Sequence, residues 1–246
     1  MIRISAVNYL NAKPFIHGLN HSGFMNSFKL ELDIPSECAR KLITREVDIG
    51  LVPIAAIPHL DKHRIITNYC IGAEGPVNSV LLLSQVPMEK IKKVILDYQS
   101  STSILLTRIL FDRLWKTEPK WADGHPGYEK MIKETTAGVV IGDRALTLKN
   151  NYPYTFDLSE AWQSLTGLPF VFACWITNTQ ISDTFLMGFN KALEWGLNHK
   201  GEIIPDRMHD SSISDYLENF ISYELTTKKR EAMELFLKLS RKFNTN

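Results

Sequence analysis

Apolar positions along the chain fall into two rhythms. Short runs and alternations predict strands at Ile2 to Val7, Phe28 to Ile34 and Val47 to Val52. Between them, Asn11 to Gly18 reads as a loop entering a helix. Pro35-Ser36 opens a second helix, with Ser36 as its N-cap and Leu42 and Ile43 on its apolar face. This β-α-β-α-β order points to a mostly parallel sheet with helices on its faces. Ile65 to Ile71 and Val77 to Leu83 predict two further strands around the loop Gly72 to Pro76. A second β-α series follows. Lys93 to Leu96 reads as a strand, and Thr102 to Trp115 as a helix with Leu106, Ile109, Leu110 and Leu114 on one stripe. Gly138 to Ile141 reads as a strand, Ser159 to Thr166 as a helix stopped by Gly167, and Leu168 to Ile176 as an apolar return strand. From Ser182 to Phe243 the spacing is helical, as in Phe185, Phe189, Leu193 and Leu197, with breaks near Gly201 to Ser212 and near Thr226.

A chain that builds one lobe, crosses to a second and returns leaves this pattern. The crossings are expected near Gln85 to Lys92 and Trp175 to Gln180. They define a discontinuous lobe of residues 1–86 plus 177–246 and a second lobe of residues 87–176.

Composition narrows the function classes. The 246 residues are 44% hydrophobic and 22% charged, which suits a packed α/β core. A net charge of +1 builds no field for nucleic acid. Cys38, Cys70 and Cys174 form no CxxC pair, and the odd count fits buried thiols in a reducing compartment. No stretch approaches the roughly 20 apolar residues of a membrane span, and Met1 leads into a strand rather than a signal segment. A cytoplasmic protein without membrane contact is expected.

Four segments could carry chemistry. Ser100-Ser101-Thr102-Ser103 opens a helix after a strand, where free N–H groups and hydroxyls receive a carboxylate or phosphate. The same tract also reads as N-capping with surplus serines. Tyr9 and Asn11 follow the first strand, where ligands of open α/β sheets collect, or else belong to a turn that caps the next helix. Asn78 and Ser79 follow a Gly-Pro loop, and Ser79 early in a strand is more commonly a buried hydroxyl bonded to backbone. Gly142 and Asp143 lie past another strand end, and Asp143 reads equally as a helix cap. Trp162, Phe170, Phe172 and Trp175 could wall a pocket or fill a core. The pairs His17/His21 and His59/His63 have helical spacing but lack a third ligand, so no metal is expected. GxGxxG, the P-loop and GxSxG are absent.

Taken together, these segments resemble one family. They are Ser5 to Phe15, Asp48 to Ala55, Gly75 to Val80, the serine tract, Ile141 to Leu146 and Trp162 to Ala173. In order and spacing they are similar to the menaquinone biosynthetic chorismate dehydratases, over roughly residues 2–176. The resemblance implies an α/β, two-lobed, type II periplasmic-binding-protein-like fold. Its mixed, mostly parallel sheets are flanked by helices, with the ligand cleft between the lobes. It implies conversion of chorismate to 3-[(1-carboxyvinyl)oxy]benzoate and water by a cofactor-independent hydro-lyase. It places Asn11 and Ser79 at the substrate as catalytic residues. Tyr9, Asn78, Ser100, Ser101, Thr102, Ser103, Gly142, Asp143 and Phe172 complete the expected contacts. One departure stands out, since the family pattern has Arg where this chain has Ser101. The partner expected is the small-molecule substrate, and the protein is expected to be a monomer or weak homodimer. The competing readings are a solute-binding protein, a ligand-sensing domain, and the sister enzyme that makes dihydroxynaphthoate.

Overall fold

The computed structural model describes residues 1–21, 23, 27–203 and 211–243. In chain order the elements are β1 (Ile2–Val7), α1 (Lys13–His21), β2 (Phe28–Asp33), α2 (Pro35–Ile43), β3 (Ile49–Pro53), β4 (Arg64–Ala73), β5 (Val80–Ser84) and β6 (Lys93–Leu96). Then come α3 (Ser101–Leu110), β7 (Lys120–Asp123), β8 (Thr136–Ile141), α4 (Asp143–Leu148), β9 (Tyr154–Asp157), α5 (Leu158–Thr166) and β10 (Phe170–Thr177). The chain ends with α6 (Asp183–Asn198), α7 (Ser211–Asp215), β11 (Ser222–Glu224) and α8 (Thr227–Ser240). Most of the expected break near Gly201 to Ser212 lies outside the described residues. The chain divides into two compact units, Met1–Ile71 with Ala173–Leu225 and Gly72–Phe172 with Thr226–Asn246.

The first unit is built on a sheet of order β11-β4-β10-β3-β1-β2. Strand β1 pairs in parallel with β2 and β3, and β10 runs antiparallel to β3. Helices α1 and α6 meet at a separation only glycine permits. A Cβ on Gly18 would come within 2.0 Å of the Ala192 carbonyl oxygen, and one on Gly196 within 2.0 Å of that of Pro14. Next to this contact, the buried Phe15 ring packs edge-on against Trp175 at 5.9 Å and Tyr223 at 5.3 Å. All three cysteines are free and buried.

The second unit has a five-stranded sheet of order β7-β6-β8-β5-β9. Strands β7, β6 and β8 are parallel, while β5 runs antiparallel to both β8 and β9. Leu81, Leu83, Ile95, Tyr128, Ile132, Val140 and Ala145 form one buried cluster. Trp162, Phe170 and Phe236 form an aromatic cluster, with ring centroids 5.3 to 6.3 Å apart.

That aromatic cluster moves the expected lobe boundaries. Phe236 ties α8 to Trp162 of α5, so the last helix belongs to the second unit rather than the first. Strand β5 pairs within the five-stranded sheet, so the first crossing comes at Ile71/Gly72 rather than near Gln85. Three strands carried no apolar signal. β7, β9 and β11 are short edge strands, where side chains face solvent on at least one side and the pattern fades. Ser36 is not a cap: Ile34 holds the cap position of α2, and Pro35 fills the first turn without needing an N–H partner. The helix expected to reach Trp115 leaves α-geometry after Leu110 and closes with a π-helical turn at Phe111–Trp115.

Candidate functional site

Pairing registers gather most of the second unit's candidates at one end of its sheet. Parallel β6 and β8 both finish there, antiparallel β5 begins there with Val80 opposite Ile141, and Asp157 of β9 pairs with Leu81 at the same end. Asn78 and Ser79 precede β5, Gly142 and Asp143 follow β8, and the serine tract follows β6. The C-terminal ends of parallel strands are where ligands of open α/β sheets collect.

The loop before β5 is held rather than extended. Asn78 adopts a left-handed backbone with φ 61°, and the N–H groups of Val77 and Asn78 donate to Asp157 Oδ2 at 2.8 and 2.7 Å. Those bonds explain why the strand expected from Val77 starts only at Val80. Ser79 is fully buried, and its carbonyl accepts the Gly142 N–H at 2.7 Å. Gly142 has φ 62° and ψ −146°, a region open in practice only to glycine. Gly142 also occupies the N-cap position of α4 and makes no side-chain cap bond. Asp143 is therefore not the cap: it is exposed in the first helical turn, where the helix dipole favours its charge.

The serine tract turns largely upon itself. Ser100 Oγ caps α3 by accepting the Ser103 N–H at 3.3 Å, and Ser103 Oγ donates to Ser100 Oγ at 3.1 Å. Thr102 and Ser103 are buried, while Ser101 is exposed at the start of the helix. Beneath the tract lies a polar network. Asp97 Oδ1 accepts the Gln99 N–H at 2.8 Å, and its Oδ2 accepts from Tyr128 Oη at 2.9 Å and Arg144 Nη2 at 2.5 Å. Arg144 also pairs with Glu129 and donates to Gln99 Oε1 at 2.8 Å. Burial pushes the Asp97 carboxyl up, and Arg144 opposes that shift. Both of Arg144's terminal nitrogens are engaged by these groups.

In the first unit, Asn11 sits in the short 3-10 turn between β1 and α1, with Tyr9 at that turn's N-cap and making no side-chain cap bond. The Tyr223 hydroxyl donates to the Asn11 backbone carbonyl at 3.0 Å and fixes the turn. Asn11 Oδ1 is buried and has no hydrogen-bond partner. Buried polar atoms are nearly always paired, so this acceptor carries a desolvation cost that an incoming donor would relieve.

Other candidates make local contacts. Phe172 packs on Phe170 at 4.8 Å within β10, one residue before that strand pairs with β3. His17 and His21 pack at a tilt against each other, His21 stacks on Trp195, and His17 faces Glu202 at 3.3 Å. Among the described residues no group of three or more His, Cys, Asp or Glu side chains is arranged to hold a metal ion, and no helix is long and apolar enough to cross a membrane. A cavity of about 370 Å³, lined by Glu74, Gln163, Gly167, Pro169 and the start of α8, contains none of the expected site residues. Sequence reading missed Tyr128 and Asp157. Asp157-Leu158-Ser159-Glu160 carries a helix-start signature, but its reach to the loop at Val77 is visible only in the fold.

Comparison with known proteins bears on the family and the fold. The chain is 26% identical over 259 residues to a chorismate dehydratase of Thermus thermophilus, covering 93% of this chain and 91% of the relative. It is 26% identical over 250 residues to a chorismate dehydratase of Campylobacter jejuni, covering 97% of each. Among solved structures, it superposes with a TM-score of 0.65 on a Candida albicans gene product described as having the generic periplasmic binding protein fold. That match has 10% identity and covers 100% of this chain and 92% of the other. The fold is thus of the periplasmic-binding-protein kind. The menaquinone biosynthesis family profile matches residues 2–242, and the chain belongs to that family.

Proposed function

We propose that this protein dehydrates chorismate to 3-[(1-carboxyvinyl)oxy]benzoate, without a cofactor, in the cytoplasm. The observation that carries the reading is the unpartnered, buried Oδ1 of Asn11 in a family whose relatives are chorismate dehydratases. Three buried free thiols suit a reducing compartment.

The chemistry asks little of the protein. Loss of water turns a cyclohexadiene into a benzene ring, so much of the driving force lies in the substrate. The C3–H bond is acidified through the ring double bond conjugated to the carboxylate, and the C4 hydroxyl is allylic. The C3 proton leaves to a base, the C3–C4 double bond forms, and the C4–O bond breaks. The departing hydroxide takes a proton and leaves as water. Asn11 Oδ1 accepts from the C4 hydroxyl and sets its direction, and the Ser79 hydroxyl donates to the leaving oxygen or the enolpyruvyl arm. Backbone N–H groups at the start of α3 receive a carboxylate. The substrate's own enolpyruvyl carboxylate, held near C3, serves as the base.

The test is direct. Purified protein is mixed with chorismate without metal or cofactor, and the ultraviolet spectrum is followed for the aromatic product. Conversion is expected, and binding without conversion would favour a solute-binding protein. Asn11→Ala and Ser79→Ala that both keep parent activity would remove these residues from the mechanism.

A further inference from the structure

A single buried side chain links the loop of Ser79 to the rest of the second unit. Asp157 Oδ1 accepts the N–H groups of Ser159 at 2.9 Å and Glu160 at 3.2 Å, which caps α5. Capping a helix needs only this one oxygen. The second oxygen, Oδ2, takes the Val77 and Asn78 N–H groups, about 80 residues earlier in the chain. The loop has need of such a hold. A left-handed backbone at a non-glycine residue is sparsely populated, even for asparagine, unless something outside the loop fixes it. Ser79 follows at once, and its carbonyl is tied to Gly142 on the other side. The Ser79 backbone is thus held from two anchors, Asp157 ahead of it and Gly142 behind it. Both oxygens of Asp157 are occupied by backbone donors, which leaves it ill placed to take a proton from a substrate.

We propose that Asp157 is a positioning residue for the dehydration: it locks Val77 and Asn78 so that the Ser79 hydroxyl is presented to the substrate, and it does not touch the substrate itself. This rests on the role given to Ser79 above.

The experiment compares Asp157→Asn, Asp157→Ser, Ser79→Ala and the double variant Asp157→Asn/Ser79→Ala. Asparagine and serine both cap helices, so α5 keeps its cap, but neither supplies a second carboxylate oxygen for the loop. Two quantities are read: chorismate turnover, and amide hydrogen exchange in the ligand-free protein. Exchange at Val77 and Asn78 is expected to rise at least about tenfold while Ser159 and Glu160 stay protected. Turnover is expected to fall about 10- to 100-fold in kcat with KM changed less than about threefold, the mark of an interaction made in the transition state. In the Ser79→Ala background, Asp157→Asn is expected to cost less than about twofold more, because both act through one hydroxyl. Unchanged exchange at Val77 and Asn78, or fully additive losses in the double variant, would overturn the proposal. Exchange needs no substrate, so it decides the hold on the loop by itself. A parent protein that leaves chorismate intact would instead sink the dehydratase reading.

Discussion

Asn11 and Ser79 carry the same expected role in opposite local settings. The Asn11 amide oxygen is buried with its hydrogen-bonding capacity unmet. The backbone around Ser79 is tied down on both sides, by Asp157 at Val77 and Asn78 and by Gly142 at the Ser79 carbonyl. The first residue is prepared by what it lacks and the second by how firmly it is held. An unmet acceptor stabilises whatever donor arrives, at a cost to the empty protein. A rigid loop lowers the reorganisation required at the moment of reaction.

The largest effect expected from breaking this contrast is on rate at Asn11. Asn11→Ala should reduce kcat about 10²-fold, the loss expected when the reacting hydroxyl is no longer held in direction. The melting temperature should stay level or rise slightly, because an unsatisfied buried oxygen has gone. A clear fall in melting temperature would mean that the amide has a structural partner after all. Gly142→Ala attacks the opposite side of the contrast. Its φ and ψ suit only glycine, so the folded state should lose ~1–3 kcal/mol in a urea titration. Turnover should drop with it, because the anchor behind Ser79 shifts.

A smaller effect is expected at the exposed start of α3. Ser101→Arg should supply a guanidinium for a substrate carboxylate and lower KM about three- to tenfold, with kcat within about twofold. An unchanged KM would show that the backbone donors there already suffice.

The smallest effect separates the two units by pH. In the first unit, Arg3 holds Asp48 below the usual carboxylate range, and Lys29 and Lys41 bring Glu31 down to about 2. Their stabilising contributions are present above the unfolded-state values and fade as pH falls through the folded-state ones. In the second unit, burial pushes Asp97 and Asp157 up. Their charged forms are penalised by folding at neutral pH, and that penalty is relieved as pH falls through the raised values toward about 3.8. Hydrogen exchange on acidification should therefore expose β1–β3 before β5, β6 and β8. The reverse order would refute this assignment.

Strands facing a core on both sides were readable as apolar runs, and β1 and β6 begin and end where the pattern predicts. Of the edge strands, β2 was readable from its alternation but β7, β9 and β11 were not, because exposed positions such as Lys120 and Asp123 carry no periodic signal. For the site, the strand-end segments holding Asn11 and Gly142 were legible as such, whereas Ser79 was read into a strand from Val77 that starts only at Val80. The Asp157 contact was not, because the fold alone joins residues about 80 positions apart. The hydroxyl-rich stretch at Ser100 looked like a ready anion site, and the structure shows much of it bonded to itself.

The glycine contact between α1 and α6 has a consequence for how the chain is made. Helix α1, which leads directly from Asn11, leaves the ribosome early, but its partner α6 ends only at Asn198. Until that late segment emerges, the nascent chain carries α1 without the partner that its Gly18 is shaped to meet. The second unit, most of it contained in Gly72–Phe172, is synthesised in the interval.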